Sequence, residues 1–144
     1  MLTLPDERQK EAYDCGEAAV KCVLKYYQVS SSIKFATSVD GSDPRQLEAA
    51  FRLAGLNVLA GEMTIADLRH FIKCRIPVIC LIWYENGISS HYVVVSGFSK
   101  NTVYYHDVST GADCVGINKW KRMWTAMGRL GETFMQWGIA ARIN

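Results

Sequence analysis

The spacing of apolar residues changes period about halfway along the chain. In the first half it is helical. Ala19, Cys22, Val23 and Tyr26 recur as an apolar stripe, while Glu17, Lys21 and Lys25 stand four apart on the opposite face. This helix is expected to start at Asp14, with Asp14-Cys15-Gly16-Glu17 read as a capping box. A second helix is marked by Asp43 as N-cap, Pro44 at the first helical position and Gly55 at the end, with Leu47, Ala50, Phe51 and Ala54 inward. A third, shorter helix follows Thr64, with Ile65, Leu68 and Ile72 inward. The pattern then becomes that of strands. PVICLIWY (77–84) is a continuous apolar run, as a buried strand requires. HYVVVSGF (91–98) and NTVYYHD (101–107) flank a short polar turn and predict a hairpin, and WGIAARI (137–143) predicts a last strand. INKWKRMW (117–124) reads as a helix or a loop between them. Helices first and an antiparallel sheet afterwards predict an α+β fold in one domain, 1–144.

Composition narrows the classes of function. A chain of 144 residues is long enough for a real core, and a net charge of +2 is too small to point to nucleic acid or an anionic membrane. Lys119, Lys121 and Arg122 mix with Trp120 and Trp124, a combination that can bind single strands, but with so little net charge an amphipathic helix is the expected reading. No apolar stretch approaches a membrane span, and MLTLPDERQKE lacks the regions of a signal peptide, so a cytoplasmic location is expected. Five cysteines, at 15, 22, 74, 80 and 114, do not form a disulfide framework. None belongs to a Cys-x-x-Cys pair, and on one helix Cys15 and Cys22 would stand about 10 Å apart, too far to share a metal. No metal or other cofactor is expected. Most of these thiols read as small, buried and inert.

Cys15 differs by position, because a thiol at a helix N-terminus feels the positive end of the dipole, which favours thiolate. His91 follows the polar stretch ENGISS and opens a strand; Asp107 ends the partner strand. With a turn at Phe98-Ser99-Lys100, Gly97 pairs with Asn101 and His91 lies directly opposite Asp107, on the same face and about 5 Å apart at Cβ. A one-residue slip would separate the two faces. Cys15, His91 and Asp107 then fit the roles of nucleophile, base and orienting carboxylate, with the Cys15 N–H and the Gln9 amide as oxyanion donors. Each residue also has a plainer reading. Cys15 can simply pack, His91 can be a half-buried strand histidine, Gln9 can be surface, and Asp107 can serve the turn in Asp-Val-Ser-Thr-Gly. His106 competes with His91, but it neighbours Asp107 in an extended strand, so it is expected to point outward, away from the carboxylate. His70 reads as surface.

Together these residues resemble the bacteriocin-processing cysteine peptidases, the double-glycine leader peptidases of the papain-like clan. The resemblance is carried by Gln9 six residues before Cys15 in Asp14-Cys15-Gly16, by GSDPRQLEAAFRLAGLNV, by His91 opening HYVVVSGF, and by Asp107 in VYYHDVSTG. It covers nearly the whole chain. It implies a papain-like fold with Cys15 as nucleophile, His91 as general base and acid, Asp107 orienting His91, and Gln9 in the oxyanion hole. The implied reaction is peptide hydrolysis through a thioester, with a leader removed after a Gly-Gly pair as one form of it. The implied partners are a peptide or protein substrate, such as a leader-bearing precursor, and a peptide-export transporter. The sequence departs from the family pattern at Val108, where proline is common, and at Glu17, an unusual charge there. Many relatives precede an ATP-binding transporter, whereas this sequence has no Walker motif; it reads as a stand-alone domain or a piece of something larger. Two alternatives stay open: an inactive peptide-binding module of the same fold, and a papain-like acyltransferase or deamidase effector.

Overall fold

The computed structural model describes residues 1–11, 14–30, 43–83, 90–125 and 135–143. Its elements run α1 (Cys15–Tyr26), α2 (Pro44–Leu53), β1 (Asn57–Glu62), α3 (Ile65–Lys73), β2 (Val78–Trp83), β3 (Ser90–Phe98), β4 (Thr102–Asp107), β5 (Gly111–Gly116), α4 (Ile117–Thr125) and β6 (Trp137–Arg142). The α+β class expected from the pattern holds. Two strands come in addition: β1, which interrupts the helical half, and β5. Residue 84 of the 77–84 run, and all of ENGISS but Ser90, lie outside the described residues.

The strands form one sheet in the order β1-β6-β2-β3-β4-β5, and every described pairing is antiparallel. Helices cover both faces. On one side α1 and α2 bury Val20, Val23, Leu47 and Phe51 against Ile79, Val94 and Ile139. On the other, α3 and α4 bury Leu68, Trp120 and Trp124 against Val78, Cys80, Val93 and Val95. Covered on both faces, β2 is buried at every position, which is why it reads as an unbroken apolar run. The region 117–124 is helical, with Trp120, Met123 and Trp124 buried and Lys119, Lys121 and Arg122 exposed. Among the described residues no helix is long and apolar enough to cross a membrane.

The helix ends follow side-chain chemistry. Asp43 accepts from Arg45 N at 2.8 Å while Gln46 Oε1 accepts from Asp43 N at 2.7 Å, and Thr64 and Asp67 form the same reciprocal box on α3. The box expected at Asp14 does not form. Asp14 is the N-cap residue, but its carboxylate turns back to accept from Glu11 N at 3.2 Å, and Glu17 pairs with Lys21 at 3.9 Å. Lys25 leaves the Glu17–Lys21 ladder to pair with Glu7.

The β3–β4 hairpin departs from the expected register. Phe98 pairs with Val103, and Ser99 N donates to Thr102 O, so the tip lies further along the chain than a Phe98-Ser99-Lys100 turn would put it. A one-residue bulge follows at Ser96, between the Val95–Tyr105 and Gly97–Tyr104 pairs. Val93, not His91, stands opposite Asp107. The tip moves the pairing by three residues and the bulge returns one, so the net offset is two. An even offset preserves the face, and His91 and Asp107 remain diagonal neighbours on it.

Candidate functional site

The N-terminal residues run as a strap over the layer of α1. Leu2 N donates to Ser96 O at 2.7 Å, which satisfies the carbonyl exposed by the bulge. Cys22 Sγ donates to Pro5 O at 3.5 Å, and Gln9 N donates to Val108 O at 2.9 Å. His106 is not outward-facing: it is buried, and its Nε2 donates to Glu7 O at 2.7 Å. It lies across the strand from Val94, on the face covered by α1, where the strap replaces solvent. It does diverge from Asp107, as alternation requires.

The strap brings Gln9 beside the start of α1. Gln9, Asp14, Glu17 and Ala18 share the lining of a cavity of about 20 Å³. Gln9 is half-buried rather than plain surface, and its buried Oε1 has no hydrogen-bond partner among the described residues. Cys15 begins the helix and is 8 % exposed; its N–H belongs to the first turn, whose donors have no acceptor within the helix.

At the ends of β3 and β4, His91 Nε2 lies 2.7 Å from Asp107 Oδ1, with both side chains buried. The Cys15 side chain hydrogen-bonds the same imidazole. Since Nε2 is taken by the carboxylate, Nδ1 is the nitrogen left for the thiol. The site therefore straddles the end of the sheet, joining a thiol from the α1 layer to an imidazole and a carboxylate on adjacent strand ends. Sequence spacing puts His91 directly opposite Asp107, whereas the structure joins them as diagonal neighbours.

Electrostatics follow from this contact. Burial alone lowers the basicity of His91, but the bonds to Asp107 and Cys15 and their charges outweigh it and raise the imidazole to about 9. Burial likewise opposes ionisation of Asp107, yet its bonds from His91 and Ser109 hold the carboxyl well below the usual carboxylate range. Ser109, which spacing arguments did not single out, donates to Asp107 Oδ1 through its N–H at 2.8 Å and its hydroxyl at 2.5 Å. The only hint in the sequence was the turn chemistry of Asp-Val-Ser-Thr-Gly.

The other cysteines stand in different surroundings. Burial pushes Cys22 up to about 12 and Cys80 well above the ordinary thiol value. Cys15, Cys22 and Cys80 are buried, as expected of most of the thiols, while Cys74 and Cys114 are exposed, and Cys74 Sγ lies 3.8 Å from Nε2 of the exposed His70. A groove of about 570 Å³ lies between Tyr27, Val58, Phe71 and Arg142. It begins at the far end of α1 from Cys15, about 18 Å along the helix axis; His70 and Cys74 line it, whereas Gln9, Cys15, His91, Asp107 and Ser109 do not.

The chain was compared with known proteins. It resembles the structure of a double glycine motif protease from an AMS/PCAT transporter in complex with leader peptide, at 23% identity and TM-score 0.74, over 99% of this chain and 93% of that one. It also resembles the peptidase domain of Streptococcus ComA, a bi-functional ABC transporter, at 18% identity and TM-score 0.71, over 100% of both chains. A C39-like peptidase from Bacillus anthracis matches at 15% identity and TM-score 0.72, over 97% and 94%. At these identities the likeness speaks for the fold. No curated protein matches the sequence. The sequence itself matches the profile of the Peptidase C39 family over residues 4–129, from the strap through α4, and the chain belongs to that family.

Proposed function

We propose that the chain is a cysteine peptidase that cleaves a peptide bond through a thioester, with Cys15 as nucleophile. The observation that carries this is the convergence on His91, whose Nε2 lies 2.7 Å from Asp107 Oδ1 while the imidazole also bonds the Cys15 side chain. The Asp107 carboxylate favours the imidazolium that forms when Cys15 gives its proton to His91, which leaves the attacking thiolate.

The thiolate attacks the scissile carbonyl carbon, and the developing oxyanion is met by the Cys15 N–H and the Gln9 amide. In this reading Gln9 Nε2 is the side-chain donor to the oxyanion, supplied by the half-buried amide that the strap brings beside the start of α1. Collapse of the tetrahedral species breaks the C–N bond as His91 gives its proton to the leaving amine. Neutral His91 then takes a proton from water, whose oxygen attacks the thioester. The carboxylic acid leaves, the thiolate is restored, and the proton stays on His91. Asp107 holds the imidazole in one tautomer and orientation throughout.

A peptide or small protein with a Gly-Gly pair before the cut is the substrate class favoured by family membership and by the folds of the transporter-linked domains. Glycines suit a narrow cleft because they bring no side chain to the reacting carbonyl. In the same reading, a peptide exporter is the partner that receives the cleaved product.

The test uses peptides with and without an internal Gly-Gly pair, followed by mass spectrometry. Scission after the pair by wild type, abolished in Cys15→Ala, is expected. Full cleavage by Cys15→Ala would end the proposal, and a mass change without scission would redirect it to acyl transfer or deamidation.

A further inference from the structure

The Asp107 carboxylate is held by more than the histidine. Three donors converge on the single oxygen Oδ1: His91 Nε2 at 2.7 Å, Ser109 N at 2.8 Å and Ser109 Oγ at 2.5 Å. The turn that carries Ser109 is itself fixed. Val108 is fully buried and its carbonyl accepts from Gln9 N at 2.9 Å, while Thr110 N donates to Asp107 O at 3.2 Å. Ser109 is exposed, so its hydroxyl has water available, yet it turns inward to the carboxylate.

A carboxylate at a strand end has a broad terminal torsion. One bond to an imidazole restricts that torsion along one direction and leaves rocking about it. A second donor from another direction removes the rocking. A hydroxyl is suited to this, because a charge-assisted O–H···O⁻ bond is short and strong, and the 2.5 Å contact has that length.

We infer that Ser109 is a positioning residue for the proposed reaction: its hydroxyl locks the Asp107 carboxylate in the orientation that presents Oδ1 to His91, and so keeps the imidazole aimed at Cys15. The inference rests on reading Cys15, His91 and Asp107 as the reacting centre. Ser109 acts through Asp107 alone. Its effect therefore disappears when the carboxylate is gone, which a residue needed only for folding would not show.

The experiment is iodoacetamide alkylation of the full chain at pH 6, with the rate at each cysteine read by peptide mass spectrometry. Exposed Cys74 and Cys114 serve as references, and protection of buried Cys22 and Cys80 reports that each variant is folded. Ser109→Ala is expected to slow Cys15 alkylation about fivefold, the equivalent of losing ~1 kcal/mol of hydrogen bonding. Ser109→Thr, which keeps the hydroxyl, is expected to restore the rate. In an Asp107→Asn background Ser109→Ala is expected to change nothing further. An activated wild-type Cys15 together with an unchanged Ser109→Ala rate would overturn the role of Ser109 alone. So would a fivefold loss that persists in the Asp107→Asn background. A wild-type Cys15 no faster than the exposed references would instead remove the peptidase reading, and this inference with it.

Discussion

At the scale of single residues, the proposed chemistry turns on His91. With its imidazole raised to about 9, the proton that the proposed reaction gives to the leaving amine is in place at neutral pH and is lost as pH climbs through that value. The rate of cleavage is accordingly expected to fall above about pH 9, which a pH–rate profile measures. In Asp107→Asn the carboxylate no longer supports the imidazolium. The alkaline limb should move to lower pH, and the rate should drop on the order of 10²-fold or more. Retention of both limb and rate would show that Asp107 is only a turn residue. Cys15, His91 and Asp107 stand out as candidates in the sequence because each lies at an end of an element, whereas Gln9 is marked only by its place six residues before Cys15. The burial of His106 is not legible, because nothing in a strand's alternation reveals that an N-terminal strap will cover it. Ser109 is not legible either, because a serine in a turn has several ordinary reasons to be there.

At the scale of elements, three aspartate or threonine caps look alike in the sequence and differ in the structure. Asp43 and Thr64 bond the first turn of their own helices, whereas Asp14 bonds backward to Glu11. Asp43→Ala and Thr64→Ala are each expected to cost about 1 kcal/mol in urea unfolding, and Asp14→Ala clearly less. Equal losses at all three would contradict the geometry. Trp120 is fully buried between Tyr105 and Trp124, and Trp120→Ala is expected to cost about 3–5 kcal/mol. The two strands that the hydrophobic pattern missed, β1 and β5, are the two edges of the sheet. They are largely exposed or half-buried, and GADCVG also has glycines at both ends, so neither alternation nor propensity announces them. They exist because β6 and β4 offer them ladders, which is information held elsewhere in the chain.

At the scale of the whole molecule, the same ionisable pair ties stability to pH. The imidazole is raised above its ordinary value of 6.5, so its contribution is complete below that value and fades as pH rises through about 9. The Asp107 carboxyl is depressed, so its contribution is present above the usual carboxylate range and is lost only as pH falls through the lowered value. The urea midpoint of wild type is thus expected to decline between about pH 6.5 and 9, and His91→Ala to lose that decline. A flat midpoint in both proteins would mean that the imidazole is not stabilised by its neighbours. The bulge at Ser96 bears on the molecule in another way, because it makes the hairpin keep count. Residues added to or taken from the tip beyond Phe98 leave the ladder from Val93 to Val95 as it is. Ser96 is the residue that β3 can lose without harm to this count: with it gone, Val95 and Gly97 still meet Tyr105 and Tyr104, and His91 and Asp107 keep a common face. One residue removed between Tyr92 and Val95 instead changes odd to even, and His91 and Asp107 then look out on opposite sides of the sheet. Such a chain would still own both side chains and still form its strands, yet it would never bring the two together, so the stretch from bulge to histidine fixes a parity to which the tip is indifferent.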